Sequence, residues 1–158
     1  MKKGILFLAL ISIFAFWTCE TEDEVERAYA KATISGEPWF SYEPTAILSD
    51  SQFTLRALSN DGLAIEFTVG GSLIGGYNLK DTEHNQAKFT PNLSAQARKY
   101  SSSRNNPNGI VRITNIDTKK RLISGTFFFK AWHPTDPIYE NVSDGVFKQV
   151  PYSYMVEQ

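Results

Sequence analysis

At 158 residues, with 16 basic and 17 acidic side chains, the chain is close to neutral and has no block of lysine and arginine to follow a phosphate backbone. That argues against nucleic acid as a partner. A single cysteine excludes a disulfide framework, so stability rests on packing, and the length suits one domain with a sizeable core.

In chain order, the basic start Met1-Lys2-Lys3 leads into an uncharged run from Gly4 to Thr18. As a helix this run would extend roughly 22 Å, short of the ~30 Å hydrocarbon core of a bilayer. It reads as the apolar region of a signal peptide. The sole cysteine, Cys19, follows at once, and behind it come Glu20, Glu22, Asp23, Glu24 and Glu26, five of the chain's 17 acids. This is the layout of a bacterial lipoprotein precursor: signal peptide over 1–18, acylation at Cys19, and an acidic tether through residue 28. Thr18 is small enough for the cleavage position, whereas Phe16 and Trp17 depart from the usual pattern before such a cysteine. An ordinary signal peptide and an uncleaved anchor are the alternatives. Self-repulsion among the five acids predicts an extended, solvated tether. Beyond them, 14 basic residues face 12 acidic ones.

Residues 29–158 have β texture throughout and are expected to form one all-β domain. Leu63, Ile65, Phe67 and Val69 alternate with Ala64, Glu66 and Thr68, the period of a strand with one buried face. With Gln52 to Leu58 before them and Asn60-Asp61-Gly62 between, they predict a hairpin. A second hairpin runs from Ile110 to Ile116, turns through Asp117 to Lys120, and returns over Arg121 to Ala131. Shorter strands are expected at Ala30–Ile34, Trp39–Tyr42, Ala46–Leu48, Gly76–Leu79, Ala97–Ser101 and Gly145–Tyr152. Gly70 to Gly76 reads as a flexible hairpin connection, Ser101 to Gly109 and His133 to Ser143 as loops, and Ser94 to Lys99 as one helical turn at most. The expected architecture is an antiparallel β-sandwich of about eight to ten short strands, with a closed calycin-like barrel as the alternative.

Four segments resemble an uncharacterised family of small Bacteroidetes lipoproteins with a β-rich domain of unknown function. They are Ala32-Thr33-Ile34-Ser35-Gly36-Glu37-Pro38-Trp39, Gly76-Tyr77-Asn78-Leu79, Ile123-Ser124-Gly125-Thr126-Phe127-Phe128-Phe129 and Ser143-Asp144-Gly145-Val146-Phe147. The resemblance implies an exported β domain and brings no catalytic residues. Acids directly after the acylated cysteine also resemble an export signal of Bacteroidetes lipoproteins. This implies anchoring in the outer membrane with the domain facing the cell exterior, the periplasmic face being the alternative.

Catalytic equipment is hard to assemble. Only His84 and His133 are available as imidazole bases, and Gly70-Gly71-Ser72-Leu73-Ile74 lacks the closing glycine of a nucleophile elbow. The histidines lie far apart in sequence and the cysteine belongs to the lipid, so neither a metal nor another cofactor is expected. Aromatics offer the better lead: Trp39, Trp132 and Tyr139 are the candidate ligand contacts, because exposed Trp and Tyr faces stack on sugars or anchor protein partners. The expected function is therefore a non-enzymatic, lipid-anchored binding or accessory module contacting a glycan or a surface protein. A lipocalin-like carrier of a small apolar ligand is the alternative, and a hydrolase stands behind it. If acyl chains hold the protein, Cys19→Ser abolishes its partitioning into the detergent phase; a serine variant that still partitions with its full N-terminus contradicts the lipid anchor.

Overall fold

The structure, a computed structural model, describes residues 27–80, 84–91, 99–102 and 108–156. Cys19, Glu20, Glu22, Asp23, Glu24 and Glu26 lie outside the described residues, as do 94–98 of the expected helical turn and 103–107 of the polar loop.

Eleven strands make up the domain. The first five are β1 (Tyr29–Ile34), β2 (Glu37–Ser41), β3 (Thr45–Leu48), β4 (Phe53–Leu58) and β5 (Ala64–Val69). Then come β6 (Gly75–Asn78), β7 (Gln86–Thr90), β8 (Tyr100–Ser101), β9 (Gly109–Asp117), β10 (Leu122–Trp132) and β11 (Tyr139–Tyr154). All belong to one sheet in the order β2-β1-β11-β3-β4-β5-β7-β8-β10-β9-β6, with β11 also paired to β10. The all-β class is as expected. Every pairing is antiparallel except β11 with β3, which is parallel and makes the sheet mixed.

Two long strands explain this pattern. Along one edge β11 pairs with β10, from Tyr139 opposite Trp132 to Pro151 opposite Leu122. Along its other edge it pairs first with β1 and then, at Tyr152 to Tyr154, with β3. Likewise β10 carries β9 along most of its outer edge and touches β8 only where Trp132 meets Ser101. The antiparallel strands β10 and β11 thus hand the sheet over at opposite ends, and the ladder folds back on itself. Strands that change layers in this way do so through bulges and bends. The register shifts along β11 and the positive φ angles of Asp144 (53°) and Gln149 (50°) are those bends. With flaps β2–β1 and β9–β6 outside the loop of strands, the result is not a regular barrel.

Local chemistry sets the turns. Ser35 (φ 48°) and Gly36 (φ 95°) form the two-residue, positive-φ turn joining β1 to β2. Asp117 Oδ1 accepts the backbone N–H groups of Lys119 and Lys120 and closes the β9–β10 turn.

Three local expectations are corrected. Gly70 to Gly76 is not a hairpin connection: β5 pairs with β7, while β6 pairs with β9 at the far end of the sheet. The crossing is pinned by Tyr77, whose hydroxyl donates to the Leu73 carbonyl at 2.7 Å while its ring covers Gly71. His133 to Ser143 is not all loop, because β11 already begins at Tyr139. Its bulges at Asp144 and Gln149 break the period-two pattern by which sequence reveals a strand. Gln86 to Thr90 is a strand that sequence reading passes over; only Ala87 and Phe89 point inward, too few to register as alternation.

The core is aromatic at its centre. Phe53, Phe67, Phe127 and Phe147 pack with contacting ring centroids 5.3–6.5 Å apart, in tilted, edge-on and stacked arrangements. A Cβ on Gly125 would fall onto the Arg112 carbonyl oxygen and the Phe147 ring, and one on Gly145 onto the carbonyl and ring of Phe127. Gly125→Ala is therefore expected to destabilise the fold by about 1–3 kcal/mol through overpacking, seen as a drop of several degrees in the thermal midpoint. An unchanged midpoint contradicts this packing.

Candidate functional site

Alternation divides each strand between two faces. In β1, Ala30, Ala32 and Ile34 enter the core, which leaves Tyr29, Lys31 and Thr33 outward; in β2, Trp39 and Ser41 go in and Pro38 and Phe40 out. In β10 the outward set is Ser124, Thr126, Phe128, Lys130 and Trp132, opposite the buried Phe127, Phe129 and Ala131. Registration then fixes neighbours across strands: Phe40 opposite Lys31, Lys31 opposite Val146, Val146 opposite Thr126, and Thr126 opposite Arg112. Five strands contribute one residue each to this row.

The bulges of β11 leave two shallow grooves on this outer face. One, of about 670 Å³, is lined by Lys31, Thr33, Pro38, Phe40, Asp144 and Val146 among others. The second, of about 370 Å³, shares Val146 and is bordered by Thr114, Asn115, Ser124, Thr126, Lys148 and Gln149. Beside the first groove lies an aromatic row. Tyr29 stacks on Phe40 with centroids 5.5 Å apart and 19° between planes, and Phe40 lies 4.4 Å from Tyr42. Tyr42 is 63% exposed and Phe40 37%.

The expected contact residues are dispersed. Trp39 is buried at 4% exposure, and its indole N–H donates to the Leu63 carbonyl at 3.3 Å. It fastens β2 to the β4–β5 turn and also lines the first groove. Trp132 and Tyr139 do come together, directly opposite one another with ring centroids at 4.8 Å, and the Lys130 ammonium sits 4.7 Å from the Tyr139 centroid. The Trp132 indole nitrogen is buried and has no hydrogen-bond partner among the described residues. His133, next along the chain, is held by its own loop: Nδ1 lies 3.2 Å from the Asp136 amide nitrogen and 3.1 Å from the Asp136 carboxylate. That nitrogen organises the turn and is not presented to a substrate. Among the described residues no three His, Cys, Asp or Glu side chains gather as metal ligands.

A family model for a domain of unknown function, DUF6252, matches residues 26–151. The chain belongs to the DUF6252 family. No curated protein and no solved structure matches it. Within this DUF6252 domain, the four segments that carry the family resemblance occupy the β1–β2 hairpin, β6, β10 and the β11 bulge. All lie in the run of six strands, β2-β1-β11-β10-β9-β6, that builds the grooved face. The opposite half, β3-β4-β5-β7, presents an ordinary polar exterior in which Arg56, Glu66 and Lys88 alternate in sign across register.

Sequence reasoning on the DUF6252 domain did not single out Tyr29 and Lys31. The signal was the alternation Tyr29-x-Lys31-x-Thr33 beside Ala30-x-Ala32-x-Ile34, which assigns the faces once the strand is accepted. The two tryptophans respond differently to substitution. Trp39→Phe loses a made hydrogen bond to the Leu63 carbonyl, which keeps the Ser59 amide as a donor, and so costs about 0.5–1.5 kcal/mol; Trp132→Phe removes a donor with no partner among the described residues and costs less. Denaturant unfolding of both variants checks this, and equal losses contradict it.

Proposed function

We propose that this DUF6252 protein is a non-enzymatic binding module, anchored through acylated Cys19 in the outer membrane of a Bacteroidetes-type cell and facing outward. Its grooved face contacts a glycan. The observation that carries the reading is the exposed row Tyr29–Phe40–Tyr42 on the rim of the 670 Å³ groove. Flat, partly exposed rings beside a groove offer apolar faces for sugar C–H groups, and Thr33, Thr126 and Asn115 supply hydroxyl and amide partners nearby. A surface protein is the second reading, and the same aromatics would anchor it.

The carrier reading has less support. A lipocalin-like site needs space between the layers, and that space holds Phe53, Phe67, Phe127 and Phe147 in mutual contact. A hydrolase has less support still, since His133 is engaged by its own loop.

A glycan array with the purified protein tests the proposal. Phe40→Ala/Tyr42→Ala removes two stacking faces worth about 0.5–1.5 kcal/mol each, so affinity for any glycan bound by the parent falls about tenfold to a hundredfold. Glycan binding that survives the double substitution moves the site elsewhere. No glycan binding by the parent protein ends the proposal.

A further inference from the structure

The grooved face carries charge as well as aromatics, and the charge is predominantly positive. Outward from its strands stand Lys31 of β1, Arg112 of β9, Lys130 of β10 and Lys148 of β11, and the β9–β10 tip adds Lys119, Lys120 and Arg121. Against them, the carboxylates on the described residues of these strands are Glu37, Asp117, Glu140 and Asp144, with Glu37 and Glu140 at the strand ends. Three are engaged locally: Asp144 accepts the Ser143 hydroxyl at 2.9 Å, Glu140 accepts the Ser35 hydroxyl, and Asp117 caps its turn. Among the described residues neither Lys31 nor Arg112 has a carboxylate within ion-pair distance. This concentration is unexpected in a chain of net charge −1, and the other half of the sheet, with its alternating signs, shows nothing like it.

Arg112 is also placed. Gly76 of β6 lies directly beside it, and a Cβ there would stand 4.0 Å from the guanidinium carbon, so the missing side chain leaves the cation room over β6. Across register, Phe40, Lys31, Val146, Thr126 and Arg112 form one line over five strands. At ~4.8 Å per strand the line extends roughly 19 Å, the reach of several units of a polymer.

We infer that the ligand of this face is an anionic polysaccharide, lying across the strands with sugar faces on Phe40 and its neighbours and acidic groups on Lys31 and Arg112. The inference rests on the glycan-binding reading above and narrows it to a chemical class. Hydroxyl and amide groups on and beside this line, on Thr33, Thr126, Ser124 and Asn115, match a polyol. A peptide laid over a sheet face finds no free backbone edge to pair with. Clustered cations over water-exposed strands attract charge at a range set by salt, about 10 Å at 0.1 M.

The test is titration of the full chain, purified in detergent, against polygalacturonate and chondroitin sulfate, with dextran and xylan as neutral polymers. Polyglutamate and vesicles containing anionic lipid serve as non-glycan anions. Binding is expected for the acidic polysaccharides, weakening at least about tenfold between 50 and 500 mM NaCl. Lys31→Glu/Arg112→Glu is expected to lose at least tenfold in affinity with an unchanged thermal midpoint, and the milder Lys31→Gln/Arg112→Gln to lose less. Lys88→Gln on the far face leaves binding as it was. Binding to dextran or xylan but not to the acidic polymers overturns the anionic class and leaves the glycan reading standing. Preference for polyglutamate or vesicles over every glycan overturns both, as does binding of none. Acidic-glycan binding untouched by either double variant overturns the assignment to this face.

Discussion

The space beside residues 125 and 145 is already taken. Phe147 and Phe127 press their rings where side chains at these positions would stand, so β10 and β11 pack closely only because both positions are glycine. From this contact follows the bend of the sheet. The ladder between β10 and β11 is the longest among the described residues, and its register shifts fall between Ile123 and Gly125 and between Phe127 and Phe129. Each shift rotates the strand, and together they carry β11 from its pairing with β1 to its pairing with β3. Without the close approach, two flat halves would have to cover each other's edges by other means.

The same bends that close the core inward open the surface outward. Asp144 and Gln149 take positive φ where β11 bulges, and the two grooves flank Val146 between them. Stability and candidate function are therefore properties of one pair of strands. The inner face spends its aromatics on packing. The outer face keeps Tyr29, Phe40 and Tyr42 in a row with cations beside them, at positions where nothing in the fold requires such residues. Aromatic side chains gain little by sitting exposed, and like charges on neighbouring strands repel. Their presence together is more economically explained by a ligand than by folding.

Much of this was legible in the amino-acid sequence, for identifiable reasons. Clean alternation from Leu63 to Val69 and the turn at Asn60-Asp61-Gly62 gave the β4–β5 hairpin, and Gly36 gave the β1–β2 turn. What escaped lay where a local rule is interrupted. Residues 139–144 belong to a strand whose bulges scramble the period, and Gly70 to Gly76 looks like a hairpin because no local signal says that Tyr77 carries β6 across the molecule. The candidate site escaped for a different reason. Tryptophan draws the eye in a search for binding residues, yet Trp39 is buried against the core, and Lys31 and Phe40 in the groove lining, with Arg112 farther along the same row, are ordinary until registration aligns them. Lipid attachment at Cys19 was read from sequence order alone, and the proposed surface location rests on that reading.

The central claim is that bends in one strand pair create a ligand face on one side of the domain. The most direct measurement is an NMR titration of the isotope-labelled protein with short oligogalacturonates, following backbone amides. The account predicts shifts that grow with ligand and cluster on β1, β2, the bulged part of β11 and the middle of β9 and β10, with β4, β5 and β7 silent. Shifts confined to β3 through β7, or none at saturating oligosaccharide, would contradict it.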